Sequence, residues 1–291
     1  MDDETARALL SALGEPNERR IHELLTQYQP AEIVKLPFFT ARMRGIEKNI
    51  HRMLECARTH YTWITPHSDS WPMQISRLMY EQPVGLWLSG NTKMLQRVQI
   101  AIVGSRNCST YGTTVAMRFA QEISATNITV VSGGARGVDE AAHHGALRAS
   151  GKTIAVMAGG FTHLYPRTST RLFQRIEDNG LLVSEVAPWR TAKPHWFLNR
   201  NRLITALSES LVVVEAQVRS GAMSSVSYAN KVGIEVCVVP GSINSPLSDG
   251  CHALIRDGAT LVTSTQDIIN IVLPTIKMQQ TQAQFAYEPS V

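Results

Sequence analysis

Apolar positions in the first part of the chain recur at helical spacing: Ala8, Leu9 and Leu13, then Ile21, Leu24 and Leu25, then Ile50, Met53 and Leu54. Gly14, Pro16, Pro30, Pro37 and Gly45 interrupt this pattern, which predicts a small helical domain of three or four helices over residues 1–60. In residues 61–97 the texture differs. WITPHSDSWP and QPVGLWLSGN alternate short apolar runs with Pro, Gly, Ser and Asp, as a connector with two short strands would. Beyond Arg97 come the apolar runs VQIAIV, ITVVS, TIAVM, LLVSEV, LVVVEA, EVCVVP and TLVT, most of them followed by a glycine turn and an amphipathic stretch. Strands that are apolar throughout are buried on both faces, and their alternation with helices points to βαβ units. The expected fold is therefore α/β: a Rossmann-like, doubly wound, mainly parallel sheet over 98–272, behind a small helical N-terminal domain. Its strands are predicted at Val98–Val103, Ile128–Ser132, Thr153–Met157, Leu181–Ser184, Leu211–Glu215, Glu235–Val239 and Thr260–Val262.

Composition narrows the function classes. The chain has 291 residues, 44% of them hydrophobic, enough to bury a core without disulfides or metal. Lys and Arg outnumber Asp and Glu by 28 to 24, which favours an anionic partner. Cys56, Cys108, Cys237 and Cys251 show no metal or redox spacing, so no cofactor and no metal are expected, and a reduced, cytoplasmic chain fits. MDDETARALL is acidic and helix-like, unlike a secretory signal, and no apolar stretch is long enough to span a bilayer. The polar end of the chain, within 273–291, is expected to be disordered.

In a doubly wound sheet, ligands bind outside the carboxyl ends of the strands, near helix N-termini. Those ends here carry Gly104-Ser105-Arg106, Ser132-Gly133-Gly134-Ala135-Arg136 with Asp139 placed to cap the next helix, and Ala158-Gly159-Gly160 followed by Arg167, Arg171 and Arg175. Further along come Arg200-Asn201-Arg202, then Arg219-Ser220-Gly221, then Pro240-Gly241-Ser242. Glycine lets a phosphate approach the backbone, hydroxyls and amides hydrogen-bond it, and arginine grips it bidentately. Glycines spread along a sheet edge suit an extended polyanion better than one pyrophosphate. Neither G-x-x-x-x-G-K-[ST] nor a clean G-x-G-x-x-G with its distant acid is present, which disfavours ATP hydrolysis and ordinary NAD binding. From Gly160 to Leu203, Arg167, Arg171, Arg175, Arg190, Lys193, Arg200 and Arg202 face only Glu177, Asp178 and Glu185. Trp189, His195, Trp196 and Phe197 are interleaved with them, and each is open to two readings: a stacking platform for bases, at about 1–3 kcal/mol each, or packing of a loop onto the core.

The order GSR with S-x-Y-G, SGGARGVDEAAH, TIAVMAGGFTHLYP, SE, RNRLI, VVVEA with SGAMSS, and PGSINSPLSDGCHALIRDGA resembles the DNA-processing protein A (DprA) family across Val98 to Val272. That resemblance implies a non-enzymatic, homodimeric protein that binds single-stranded DNA and helps load RecA recombinase onto it during natural transformation. By position it implies Arg106 as the main phosphate contact. Gly104, Ser105, Ser132, Gly133, Gly134, Arg136, Arg167, Arg171, Arg200, Asn201, Arg202, Ser220, Gly221 and Gly241 complete the expected nucleic-acid site. Two departures stand out: Leu198-Asn199 where many members read Pro-x, and His252 where Asn is more usual. The chain ends soon after the α/β region, so the winged-helix module some members carry is not expected.

Enzymatic readings rest on Asp139 and His143 at i and i+4, or on Glu185 and Glu215 near strand ends. Asp139 reads better as a cap and His143 as a packed histidine, and no G-x-S-x-G elbow is present. The alternatives are a nucleotide phosphoribohydrolase-like enzyme, whose P-G-G-x-G-T-x-x-E signature is missing at Pro240-Gly241-Ser242, and a small-nucleotide sensor.

Overall fold

The computed structural model describes residues 1–44, 46–149 and 151–285. Five short helices open the chain: α1 (Asp3–Leu13), α2 (Arg19–Leu25), α3 (Pro30–Ile33), α4 (Pro37–Met43) and α5 (Glu47–His60). The count exceeds the three or four expected because Pro30 and Pro37 each stand at the first helical position, where a missing N–H costs nothing, so each starts a helix of its own. Asp2 caps α1 by accepting from the Thr5 amide.

Strands β1 (Thr62–Ile64) and β2 (Leu86–Gly90) pair antiparallel, and β2 pairs antiparallel with β6 (Leu181–Ser184), so the connector widens the main sheet. The remaining strands are β3 (Gln99–Val103), β4 (Thr129–Ser132), β5 (Thr153–Val156), β7 (Ser210–Val213), β8 (Glu235–Val238) and β9 (Thr260–Leu261). With β6 they run parallel, in the order β1-β2-β6-β5-β4-β3-β7-β8-β9. The fold is the expected Rossmann-like α/β architecture. From β3 the chain builds outward to β6 on one side and, after β6, to β9 on the other. The switch in direction lies between β3 and β7, where the loops after these strands diverge and leave a crevice.

Helices α6 (Thr110–Ala125), α7 (Val138–Ala149) and α8 (Thr170–Asn179) cover one face of the sheet. Helix α12 (Thr265–Phe285) joins them, while α9 (Trp196–Ala206), α10 (Gly221–Val232) and α11 (Asp249–Arg256) cover the other face. Alternation within strands does this sorting: Ile100 and Ile102 of β3 pack under α6 and α7, whereas Ala101 and Val103 point to the α9–α10 side. The expected disordered end is corrected in part, since α12 continues to Phe285; the rest of that stretch, 286–291, lies outside the described residues.

The N-terminal helices dock on the segment between β6 and α9. Trp87 donates through Nε1 to Ser11 Oγ at 3.0 Å, the Asn17 amide donates to Glu185 Oε1 at 2.8 Å, and Asn199 Nδ2 donates to the Pro16 carbonyl at 2.9 Å. Lys193 and His195 both contact the Glu15 carboxylate, at 2.5 and 2.9 Å, and hold it down to about 2. Arg190 donates to the Gly14 carbonyl and lies over the Trp196 ring.

Candidate functional site

The turn after β3 is built from beneath. Glu215, at the end of β7, is almost fully buried; its carboxylate accepts from the Ser109 amide at 2.8 Å and the Ser109 hydroxyl at 2.6 Å, while its backbone carbonyl accepts from the Ser105 amide at 2.6 Å. Ser105 in turn accepts at its carbonyl from the Val138 amide, 3.2 Å, and at its Oγ from the Asn107 amide, 3.2 Å. A Cβ on Gly104 would meet Val138 Cγ2 at 2.7 Å and the Glu215 carbonyl at 2.8 Å, so the turn can pass only if residue 104 is glycine. Gly104-Ser105-Arg106 is thereby a fixed platform. Arg106 stands on it exposed, with no hydrogen bond or ion pair among the described residues.

Beside this platform lies an open cleft of about 510 Å³ at the β3–β7 switch point. One wall is the N-terminus of α10. Ser220 caps that helix by position but makes no capping bond, and its Oγ is shielded from solvent without any partner. Next to it, a Cβ at Gly221 would meet nothing within 4 Å, and Arg219 is exposed and unpaired among the described residues. A helix N-terminus with free amides, an unsatisfied hydroxyl and two free guanidiniums is an anion receptor. The other wall is α9, which presents Phe197, Leu198, Arg200 and Asn201. Phe197 packs edge-on against the exposed ring of Tyr165 at 5.3 Å and lies 5.7 Å from the Arg106 guanidinium carbon, an apolar platform beside a cation. Leu198, the departure noted above, stands 49% exposed at the cleft mouth.

Arg200 forms the floor. It is buried, donates from Nη1 to the carbonyls of Gly133 (2.6 Å) and Val156, and from Nε to Asn201 Oδ1 at 3.3 Å. Burial pushes its guanidinium down to about 10, with Asp139 opposing, so it remains a cation at neutral pH. Asp139 is the sole carboxylate lining the cleft among the described residues. Burial raises its pKa, while its Oδ2 accepts from the amides of Gly133 (3.1 Å) and Ala135 (3.4 Å). It lies within α7 and ties the preceding loop, which corrects its assignment as the helix cap.

The structure thus gathers Gly104, Ser105, Arg106, Arg200, Asn201, Ser220 and Gly221 in one cleft and separates the others. Ser132 is fully buried and donates to the Ile102 carbonyl at 2.7 Å. Gly133 has its amide taken by Asp139 and its carbonyl by Arg200, and Gly134, at φ +67°, backs onto Phe173. The Ser132 hydroxyl and the Gly133 amide are thus engaged within the fold. Arg202 is also corrected: fully buried, it pairs with Glu185 and donates to the Glu81 carbonyl at 3.1 Å. Gly241 packs on Ser248 outside the cleft, and its carbonyl lies 3.1 Å from His252 Nε2, which gives the unusual histidine a structural contact. Gly159 and Gly160 admit the close passage of 187–192. Arg136, Arg167 and Arg171 are exposed but lie outside the cleft. The expected six-turn track therefore contracts, at the sheet edge, to the loops of β3, β4 and β7 plus α9. Arg219 was visible in its turn but not singled out, and the signal for it was its place directly before Ser220-Gly221.

Other titratable groups serve the fold. His143 is fully buried, bonds Thr153 Oγ1 at 2.8 Å, and is pushed down to about 3 by burial and by neighbouring His144 and Arg200. Trp196 is buried, so of its two readings packing is the correct one; Phe197 lines the cleft. No group of three or more His, Cys, Asp or Glu could hold a metal, and no helix is long and apolar enough to cross a membrane, among the described residues.

Comparison with known proteins adds an independent line. The family of DNA recombination-mediator protein A matches residues 62–273. The DNA processing protein DprA of Streptococcus pneumoniae is 40% identical over 201 residues, 69% of this chain and 71% of that protein. An X-ray structure of the S. pneumoniae protein superimposes with a TM-score of 0.78 at 32% identity, covering 93% of this chain and 98% of that one. The DNA processing protein A of Helicobacter pylori, whose structure concerns its single-stranded DNA binding mode, gives a TM-score of 0.67 at 32% identity over 75% of this chain and 98% of that one. With the family matched over most of the α/β region and the fold shared with a solved member along nearly the whole chain, this protein belongs to the DNA recombination-mediator protein A family.

Proposed function

We propose that this chain binds single-stranded DNA in the switch-point cleft without catalysing a reaction on it, and that as a homodimer it helps load RecA recombinase onto that strand during DNA uptake. One observation carries the binding reading: a rigid turn holds the unpaired Arg106 opposite the free N-terminus of α10, with the unpartnered Ser220 hydroxyl and buried cation Arg200 between them. This is a receptor for phosphate with a base platform, Phe197 and Tyr165, at its side. Asp139, the only cleft carboxylate among the described residues, is held by two backbone amides, which supports a binder over a phosphoribohydrolase. The partners RecA and a second copy of the chain are supported by family membership.

Binding of oligo-dT and of duplex of equal length, measured by fluorescence anisotropy across a salt series, tests the reading. Single strand is expected to bind in preference, with affinity falling steeply as salt rises. Arg106→Ala is expected to weaken binding by roughly tenfold to a hundredfold, as loss of a charge-assisted phosphate contact would, with thermal unfolding unchanged. Equal affinity for duplex, or an Arg106→Ala protein that binds normally, overturns it. A cleft of this volume could also hold one small nucleotide, and a mononucleotide that competes away oligo-dT at low concentration would favour a sensor.

A further inference from the structure

We propose that the strand bound in the cleft continues over Arg106 into the groove between α6 and α7 and on to an arginine row on α8, making one extended track for a phosphodiester backbone. This rests on the reading of the cleft as a single-strand site and extends its footprint. The groove is a second open cavity, of about 530 Å³, and Arg106 and Asn107 line both it and the cleft. Arg106 is therefore a shared post between two adjoining depressions, not the end of one. Beyond it the groove is lined by Arg136 and by His144 of α7. Its single carboxylate among the described residues, Glu140, accepts from Ser169 Oγ at 3.3 Å.

Burial lowers the pKa of the half-buried His144; Glu140 opposes this, and Arg175 of α8 and Arg148 of α7 add to it. Ser169, the residue directly before α8, is the one bonded to Glu140, so α8 starts at the edge of the groove. On α8 itself the inward side is Leu172, Phe173 and Ile176, all buried, and the outward side carries Arg171 and Arg175, preceded at the same interval by Arg167. Positions four apart on an α-helix are about 6 Å apart along its axis, so Arg171 and Arg175 are neighbouring cations on one face of α8, with Arg167 in the short turn before the helix.

Pairing separates these arginines from the rest of the basic segment. Arg190, Lys193 and Arg202 are bound to the N-terminal helices, Glu15 and Glu185. Arg136, Arg167, Arg171 and Arg175 have no ion pair among the described residues and are exposed. Like charges at this spacing repel and slightly destabilise a helix. An external polyanion relieves that repulsion.

The test compares a short oligo-dT of about 6 nucleotides with one of about 20, bracketing the span one site of this kind can hold. Binding is measured on the full chain, wild type and Arg136→Ala/Arg171→Ala/Arg175→Ala, with Arg118→Ala as an exposed-arginine control. The triple variant is expected to lose at least about tenfold in affinity for the long strand, with a shallower salt dependence, while the short strand binds as before. Wild-type affinity should also rise from the short to the long strand. Equal affinity of the triple variant and wild type for the long strand overturns the track, as does an equal loss for both lengths. Failure of the cleft reading looks different: Arg106→Ala would then leave both lengths unaffected.

Discussion

Glu215 and His143 are two buried titratable residues at which chemistry and architecture are easily confused. Glu215 sits at a strand end, where a catalytic acid could stand, yet both its oxygens accept from Ser109 and hold the start of α6. His143, in an alanine-rich helix, bonds Thr153 and stays neutral in the fold because its charged form would be buried. Its folded pKa of about 3 lies below the unfolded value of about 6.5. The unfolded chain therefore takes up a proton that the folded chain refuses as pH falls between these values, and stability drops by about 1.4 kcal/mol per pH unit in that window. It is complete above the window. His143→Gln should flatten this part of the stability curve, measured by urea unfolding at a series of pH values; an unchanged slope would assign the acid sensitivity elsewhere. Residue type was legible in the sequence, but direction was not. Ser132 ends its strand as expected, whereas Arg202, expected at the end of a loop, lies in α9; both side chains point inward, which nothing in a one-dimensional pattern records.

At the scale of elements, the βα repeats were readable because each strand is a short apolar run, most of them bounded by glycine, and every predicted strand lies within two residues of the observed one. What could not be read was tertiary. The segment between β6 and α9 looked like a basic, aromatic-rich DNA loop, but much of its charge docks the N-terminal helices, because Glu15 and the Gly14 carbonyl lie far away in sequence and close in space. This has a measurable consequence. Arg202→Met leaves the largely buried Glu185 without its cationic partner and should cost about 3–5 kcal/mol in unfolding free energy, with much of it recovered in Arg202→Met/Glu185→Leu. The same change should leave the salt dependence of single-strand binding as in wild type. A shallower dependence would return Arg202 to the DNA-contacting set.

For the molecule as a whole, the Rossmann-like sheet explains why a cleft opens between β3 and β7, since strand order reverses there. The proposed strand path crosses the carboxyl edge of the sheet and then the α6–α7–α8 layer, away from the α9–α11 layer. The whole of it is uncovered. Cleft and groove are depressions with Arg106 between them, Leu198 and Arg219 stand exposed at the cleft, and no segment among the described residues roofs them over. A nucleic acid need not be threaded into such a site; it can be laid in sideways at any point along its length. Single-stranded circles should therefore compete for this protein as well as linear strands of the same length and sequence, and blocking both ends of a linear strand with bulky groups should leave its association rate unaltered. A protein that demanded a free end would select termini, whereas the proposed path would take hold of the interior of a long strand.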